Sequence, residues 1–382
     1  MKIQKVHLGN TGLSVSRAGF GVLPMGPAQL SLPVEEGADL LLYGMEAGFN
    51  FFDTAQYYQT YPYLRLAMKK WDARGHCQAG SDPGQSGTSP LYAAGGSGSD
   101  LVISSKSLAT DYSGMMEAIE DARHQLDRDV IDIFLMHEVR TSQLPQRARA
   151  WEALLDARSR GLVRAIGLST HHVNVAAAAA SLVELDVVFP LLNYAGLGIR
   201  SGASLKPLPE IYRQDLTNFT TAQEAPFTIT DSTGAAGGER FATADEMMEA
   251  IRACRAAGKG IYSMKAFGGG SLTVTYQKAL DYVFSQPEVD SVMLGFGRES
   301  EIDDLINYMS GTMPSDYNPD VSAKRVRVNQ EDCEGCGACR AMCSAGAIFW
   351  NPDNGLAEVD QSKCLTCGYC IPTCPVRAMI MY

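Results

Sequence analysis

Nowhere in the 382 residues do apolar side chains run together for the roughly 18 positions a membrane-spanning helix needs. The nearest approach, VNVAAAAASLVELDVVF (173–189), is too short and is broken by Glu184 and Asp186. The opening MKIQKVHLGNTGLSV has no uninterrupted apolar stretch of the secretory kind. Basic charge is in short supply: 32 Lys and Arg stand against 43 Asp and Glu, a formal charge of −11. That balance argues against nucleic acid or an anionic membrane surface as a partner. Cysteine is scarce through most of the chain, since only Cys77 and Cys254 of the ten lie before residue 333. With no export signal ahead of them, a secreted disulfide framework is a poor account of the remaining eight. The expectation is a cytoplasmic protein long enough for one large domain and a small one.

The eight cysteines form two runs, CEGCGACRAMC (333–343) and CLTCGYCIPTC (364–374), each spaced C-x2-C-x2-C-x3-C. Two-residue gaps let neighbouring thiolates converge on one soft metal centre. In two-cluster iron–sulfur proteins the fourth cysteine of each run ligates the other cluster. One centre then takes Cys333, Cys336, Cys339 and Cys374, the other Cys364, Cys367, Cys370 and Cys343. Paired zinc sites or disulfides are the alternatives, but zinc sites usually split into separate C-x2-C pairs. Residues 325–382 resemble bacterial ferredoxins with two [4Fe-4S] clusters. Between the runs, AIFWNPDNGLAEVD reads as a hairpin around its Asn-Pro-Asp-Asn-Gly turn. Cys254 falls in a helical pattern and reads as a small core residue.

The first three hundred residues alternate. Helix-like stretches such as VEEGADLLLYGMEAG (34–48), GMMEAIEDARHQL (114–126) and ESEIDDLINYM (299–309) separate apolar strands such as LVISSK (101–106) and VIDIFLMH (130–137). Strands apolar on both faces, each followed by a helix, imply a parallel sheet. Counting AGFGV (18–22) as the first strand gives eight strands and eight helices, a (β/α)8 TIM barrel. The domains expected are a barrel over 1–310, a linker over 311–324 and a small α+β ferredoxin-like iron–sulfur domain over 325–382. Two inserts interrupt the pattern. The Gly/Ser-rich 76–100 precedes a strand and is expected on the face opposite the site. Residues 196–243 follow a strand and are expected over the barrel mouth as a substrate lid.

Barrel chemistry collects at the C-terminal strand ends, where Asp53, Lys106 and His137 stand, with Tyr58 five residues beyond Asp53. Singly, each has an ordinary structural reading as a helix cap, a snorkelling lysine or a core histidine. Together they make a proton-donating pocket in which Asp53 holds Lys106 charged and that cation lowers the pKa of Tyr58. His137 then bonds a substrate oxygen or shares the proton.

On HLGNTGLSVSRAGFGV, NFFDTAQYY, VISSK and IDIFLMHEV, residues 3–310 resemble the aldo-keto reductases. The resemblance implies a catalytic tetrad of Asp53, Tyr58, Lys106 and His137 with tyrosine as general acid. It also implies NADP(H) or NAD(H) held across the barrel mouth, and a small-molecule carbonyl or alcohol as substrate. For the cofactor it points to Ser169 and Thr170 in GLST. It adds Met264, Lys265, Phe267 and Gly268 in MKAFGGG, and Gly295 and Arg298 in LGFGRES, Arg298 as candidate for a 2′-phosphate. Phe189 stands where the family normally has glutamine, and Glu301 where NADPH-binding members often have arginine.

The sequence therefore reads as an oxidoreductase of aldo-keto reductase type with two [4Fe-4S] clusters and an electron-transfer protein as partner. Two other readings stay open: an electron-transfer protein whose barrel is a docking or sensing body, and a cluster-driven reductase without nicotinamide. The connector SGTMPSDYNPDVSAK (310–324) can stretch to roughly 50 Å, whereas a barrel strand spans about 17–20 Å. The cysteine domain is thus expected to reach back to the catalytic rim.

Overall fold

A computed structural model describes residues 3–27, 29–76, 100–140, 147–202, 240–270, 272–320, 324–330, 333–343, 345–364, 366, 370–374 and 378–381. An N-terminal hairpin, β1 (Lys5–His7) and β2 (Ser14–Ser16), leads into eight parallel strands. These are β3 (Ala18–Gly21), β4 (Phe51–Asp53), β5 (Val102–Ser107), β6 (Ile131–Met136), β7 (Val163–Thr170) and β8 (Val187–Pro190), followed, after a two-stranded ribbon, by β11 (Gly260–Ser263) and β12 (Ser291–Gly295). The ribbon is β9 (Arg200–Ser201) with β10 (Arg240–Phe241). Pairing of β12 with β3, Val292 opposite Ala18 and Gly295 opposite Gly21, closes the barrel.

Among the described residues eight α-helices surround it: α1 (Val34–Ala47), α2 (Tyr61–Trp71), α3 (Tyr112–Leu126), α4 (Ala148–Ser159), α5 (Val173–Ala179), α6 (Ala244–Ala256), α7 (Tyr276–Phe284) and α8 (Glu299–Met309). Local chemistry sets their ends. Asp111 accepts a hydrogen bond from Gly114 N at 2.8 Å to start α3, and Thr243 and Glu246 form a capping box on α6. The main core lies between strands and helices. A second apolar cluster fills the barrel, where Leu8, Leu13 and Val15 of the hairpin meet Phe51, Ile133, Phe189 and Tyr262. No helix among the described residues is long and apolar enough to cross a membrane.

Polar pins fix where the strands begin. Asn50 Oδ1 accepts from Ser16 N (2.6 Å), Asp132 Oδ2 from Ile103 N, Asp186 Oδ2 from Ile166 N and Asp290 Oδ2 from Ile261 N (each 2.9 Å). The four acceptors sit at the starts of β4, β6, β8 and β12, every second strand of the barrel. Asp132, Asp186 and Asp290 each tie down the barrel strand preceding their own, and Asn50 ties down the hairpin strand β2.

Beyond α8 the chain crosses the barrel mouth and builds a small module. Strand β13 (Val326–Val328) pairs antiparallel with β16 (Met379–Met381), and β14 (Ile348–Trp350) with β15 (Ala357–Val359). The latter pair is the hairpin expected from its turn. Short helices α9 (Ala338–Met342) and α10 (Cys370–Thr373) pack on each other over an apolar core. The module seats on the turn Gly268–Gly270, whose φ values of 58°, 74° and 102° suit glycine. A Cβ on Gly269 would lie 3.2 Å from Ile371 Cγ2, and one on Gly270 3.0 Å from Met381 Cβ. Asn329 Nδ2 also reaches the Tyr57 hydroxyl at 3.5 Å.

Of the two inserts, residues 77–99 and 203–239 lie outside the described residues. The ribbon β9–β10 places the ends of the second insert after β8, and Arg200 lines the cavity at the mouth.

Asp290 accepts from two backbone donors, Gly9 N at 3.0 Å and Ile261 N at 2.9 Å, while paired with Arg255 at 2.9 Å. Asp290→Ala leaves two backbone donors unpaired in a buried setting. It should lower unfolding stability by about 2–4 kcal/mol, read as a shift in the urea midpoint.

Candidate active site

Asp53 ends β4, and the chain then turns through Gln56–Tyr58 before α2. Three contacts hold that turn: Thr54 Oγ1 to Thr60 Oγ1 (2.7 Å), Ser107 Oγ to Gln56 Oε1 (2.8 Å) and Tyr61 OH to Ser105 Oγ (2.7 Å). Tyr58 is thereby fixed above the barrel axis. Lys106 near the end of β5 donates to Asp53 Oδ2 at 2.6 Å and to the Thr54 carbonyl at 2.7 Å, and both charged side chains are almost wholly buried. His137, just past β6, presents Nε2 to the Tyr58 hydroxyl at 3.4 Å, the two rings edge to face. The four strand-end residues thus converge.

The electrostatics differ in one respect from the expectation. The Tyr58 phenol lies well above its ordinary pKa, pushed there by burial and then by the charges of Asp53 and Glu138. The Lys106 ammonium donates to Asp53 and Thr54 and stands 4.8 Å over the face of the Tyr58 ring. Burial also raises the Asp53 carboxyl against the pull of Lys106, and lowers the Lys106 ammonium against the pull of Asp53. His137 is driven well below the usual imidazole value by burial, then by Lys106, with Arg147 adding to it.

Two site residues escaped the sequence reading. Arg147, buried at the start of α4, donates to His137 O (2.6 Å), Ser107 O (2.9 Å) and Ala109 O (3.2 Å), clamping the ends of β5 and β6. Tyr262 on β11 stacks on Phe189 with ring centroids 4.0 Å apart and bonds Ser104 Oγ at 2.7 Å. The only signal for Arg147 was a basic residue opening a helix, and for Tyr262 an aromatic within a strand.

Above these residues opens a cavity of about 690 Å3. Asp53, Tyr58 and Phe189 lie on its barrel side, with Lys106 and His137 behind them. Of the residues expected to bind a cofactor, Met264, Lys265, Phe267, Gly268, Gly295 and Arg298 line it. Ser169 and Thr170 do not. Both are buried, the Ser169 hydroxyl accepting from Glu138 N at 2.8 Å and the Thr170 hydroxyl donating to Val139 O at 2.7 Å. The connector also enters the wall. Tyr317, Asn318, Pro319 and Asp320 line the cavity, and Arg298 donates to Asp320 O at 2.8 Å while facing the carboxylates of Asp320 and Glu301.

In the small module a second, narrow cavity is bordered by Cys333, Cys336, Cys339 and Cys374, the set expected for one centre. All four are free thiols. Burial raises the Cys339 thiol, and the neighbouring Cys374, Cys333 and Cys336 add to it. Gly335 and Gly337 run at φ 64° and 81°, and a Cβ on Gly337 would press on Trp350 at 3.4 Å. Cys343, Cys364 and Cys370 border the same apolar core, and Cys343 Sγ accepts from Ala347 N at 3.3 Å. Cys367 lies outside the described residues. Four free thiols around one narrow apolar cavity fit an iron–sulfur centre.

Residues 18–200 match the model of the aldo/keto reductase family, and residues 316–378 that of the 4Fe-4S dicluster domain. The chain thus carries an aldo/keto reductase domain over residues 18–200 and a 4Fe-4S dicluster domain over 316–378. Over 316 residues it is 23% identical to L-galactose dehydrogenase of Arabidopsis thaliana, covering 80% of this chain and 88% of the relative. Over 64 residues it is 42% identical to a component of an ion-translocating oxidoreductase complex of Methanosarcina acetivorans, covering 17% of this chain and 22% of that protein. Aldo-keto reductase AKR11C1 of Bacillus halodurans shares the barrel fold at 15% identity and a TM-score of 0.52, covering 82% of this chain and 91% of that one. The thermostable aldo-keto reductase Tm1743 does so at 16% and 0.52, covering 82% and 96%.

The directions of these shifts set the pH profile expected of this site. With its pKa lowered, His137 stays neutral on the acid side of the usual imidazole range. With its pKa raised, Tyr58 keeps its proton beyond the usual phenol range. Turnover should therefore be level between about pH 6.5 and 10, the unshifted values of the two groups. A pH–kcat series checks this, and a fall centred near neutrality would contradict it.

Proposed function

We propose that the chain reduces a carbonyl compound, or oxidises the corresponding alcohol, with a nicotinamide dinucleotide in the mouth cavity. We propose further that its eight clustered cysteines hold two [4Fe-4S] clusters. The observation that carries the reading is the convergence of Tyr58, His137 and the buried Asp53–Lys106 pair under one large cavity.

The residues present fit a dinucleotide. The cavity has an aromatic floor, where Phe189 stacks on Tyr262, and a glycine cradle in which a Cβ on Gly268 would sit 2.9 Å from Leu197 Cδ1. Met264, Lys265, Phe267, Gly268, Gly295 and Arg298 are the residues that would hold it. When bound, nicotinamide supplies or accepts the hydride. The chain's own groups handle the proton. In the reducing direction Tyr58 gives its proton to the substrate oxygen as charge develops there. Its raised pKa keeps that proton in place until an oxygen more basic than the phenol forms. His137, neutral and beside the Tyr58 hydroxyl, orients the oxygen through Nε2. Lys106 and Asp53 keep the floor of the site dry and near neutral. Arg298 already faces Asp320 and Glu301, which favours NAD(H), without a 2′-phosphate, over NADP(H).

Tyr58→Phe should lower kcat by roughly 10²–10⁴-fold, the usual worth of a general acid, and leave nucleotide affinity nearly unchanged in a fluorescence titration. Equal turnover of variant and parent on every carbonyl tested would remove Tyr58 from the mechanism. Anaerobically purified protein should carry about eight irons per chain, falling to about four in Cys374→Ser if one of two cubes is lost. Iron assay and visible absorbance check this, and zinc in place of iron would overturn it.

A further inference from the structure

The mouth cavity has two owners. Tyr58, Asp53 and Phe189 of the barrel form one side, and Ile371, Cys374 and Met381 of the cysteine module form another. Cys374 also borders the narrow cavity shared with Cys333, Cys336 and Cys339. One side chain thus belongs both to a thiol set and to the wall of the site that holds the tyrosine. Among the described cluster cysteines, Cys374 is the one that lines the large cavity. Of the described cysteines, one member of the first set and none of the second lines that cavity.

We propose that Cys374 is an electron port, through which electrons held in the cysteine module enter a substrate bound over Tyr58 without nicotinamide. The proposal rests on the reading of the cysteines as iron–sulfur ligands and of Tyr58 as proton donor, and not on nicotinamide binding. The substrate class follows from the electron count. Iron–sulfur centres pass electrons singly, and an isolated ketone accepts them poorly that way. A carbonyl conjugated to an aromatic ring or a second carbonyl spreads the added charge and accepts them readily. The aromatic floor of Phe189 on Tyr262, with Tyr276 stacked on Phe267 at 5.0 Å in the wall, suits a flat conjugated ligand. The reaction balances. An aromatic 1,2-diketone takes two electrons, one from each of the two centres, and two protons, one from Tyr58 and one from solvent, to give the α-hydroxyketone. Both centres are oxidised by one electron and are re-reduced by a low-potential one-electron donor from outside.

The test uses the full chain with its clusters, reduced by dithionite, freed of excess reductant and kept free of nicotinamide, with benzil as probe. About one benzil per chain should become benzoin as the visible absorbance of the clusters returns. Tyr58→Phe should slow the process by roughly 10²-fold or more. Met381→Trp, which narrows the cavity wall without altering a thiol, should slow it at unchanged iron content. Cyclohexanone should not react. Benzoin added to the reduced protein should change the electron paramagnetic resonance spectrum of one centre and leave the other. Reoxidation by benzil at the parent rate in both variants, or no reoxidation at all, overturns the proposal. Turnover with NADH but not with stored electrons defeats the port and leaves the nicotinamide reading intact. The reverse result defeats the nicotinamide reading and supports the port.

Discussion

Everything above the barrel floor depends on where its short strands begin. Asn50, Asp132, Asp186 and Asp290, one at the start of every second strand, accept backbone hydrogen bonds, Asn50 from the hairpin strand β2 and the other three from the barrel strand before. Buried donors left unpaired are costly, so each pin disfavours a slip of register. A slip of one residue would turn Asp53 or Lys106 from the barrel axis toward the helices. Fixing the lower ends of strands only three to eight residues long fixes their upper ends too. The geometry of Asp53, Lys106 and His137 is thus set from the opposite end of the barrel.

Much of this was legible in the chain. The helix Glu299–Met309 carries the bounds its apolar spacing implies, and the strands stand out because both of their faces are buried. The strand-end residues were placed by counting along those strands. What one dimension withholds is direction. The chain order puts Lys106 beside Tyr58 but does not say that its ammonium turns to Asp53 and the Thr54 carbonyl and meets only the face of the tyrosine ring. Arg147 was hidden for the same reason, since nothing in its neighbours along the chain tells that its guanidinium will collect three carbonyls from two strand ends. The length of the connector let the cysteine module reach back to the rim, but did not tell that Tyr317 and Asp320 would line the cavity wall on the way.

The two halves also solve burial differently. The barrel buries charge as a matched pair, Asp53 with Lys106, and as Arg147 fully engaged by carbonyls. Buried ion pairs are weak contributors to stability but costly to break, so these groups are fixed in place more than they hold the fold up. The cysteine module has a core of only a few side chains, among them Val326, Ile348, Ile371 and Met379, with several of its cysteines. So small a core needs additional cross-linking, and a metal centre held by the cysteines packed against it would provide it.

The pairing of Val326–Val328 with Met379–Met381 brings the last described strand back beside the first strand of its module and onto the cavity. During synthesis the barrel strands have all emerged long before these methionines. The pocket over Tyr58 then still lacks a wall and stands open to water. Its closure waits for the cysteine module to pack against Gly268–Gly270. A segment made after the whole barrel thus completes the enclosure of a site whose strand-end residues come from the first half of the chain.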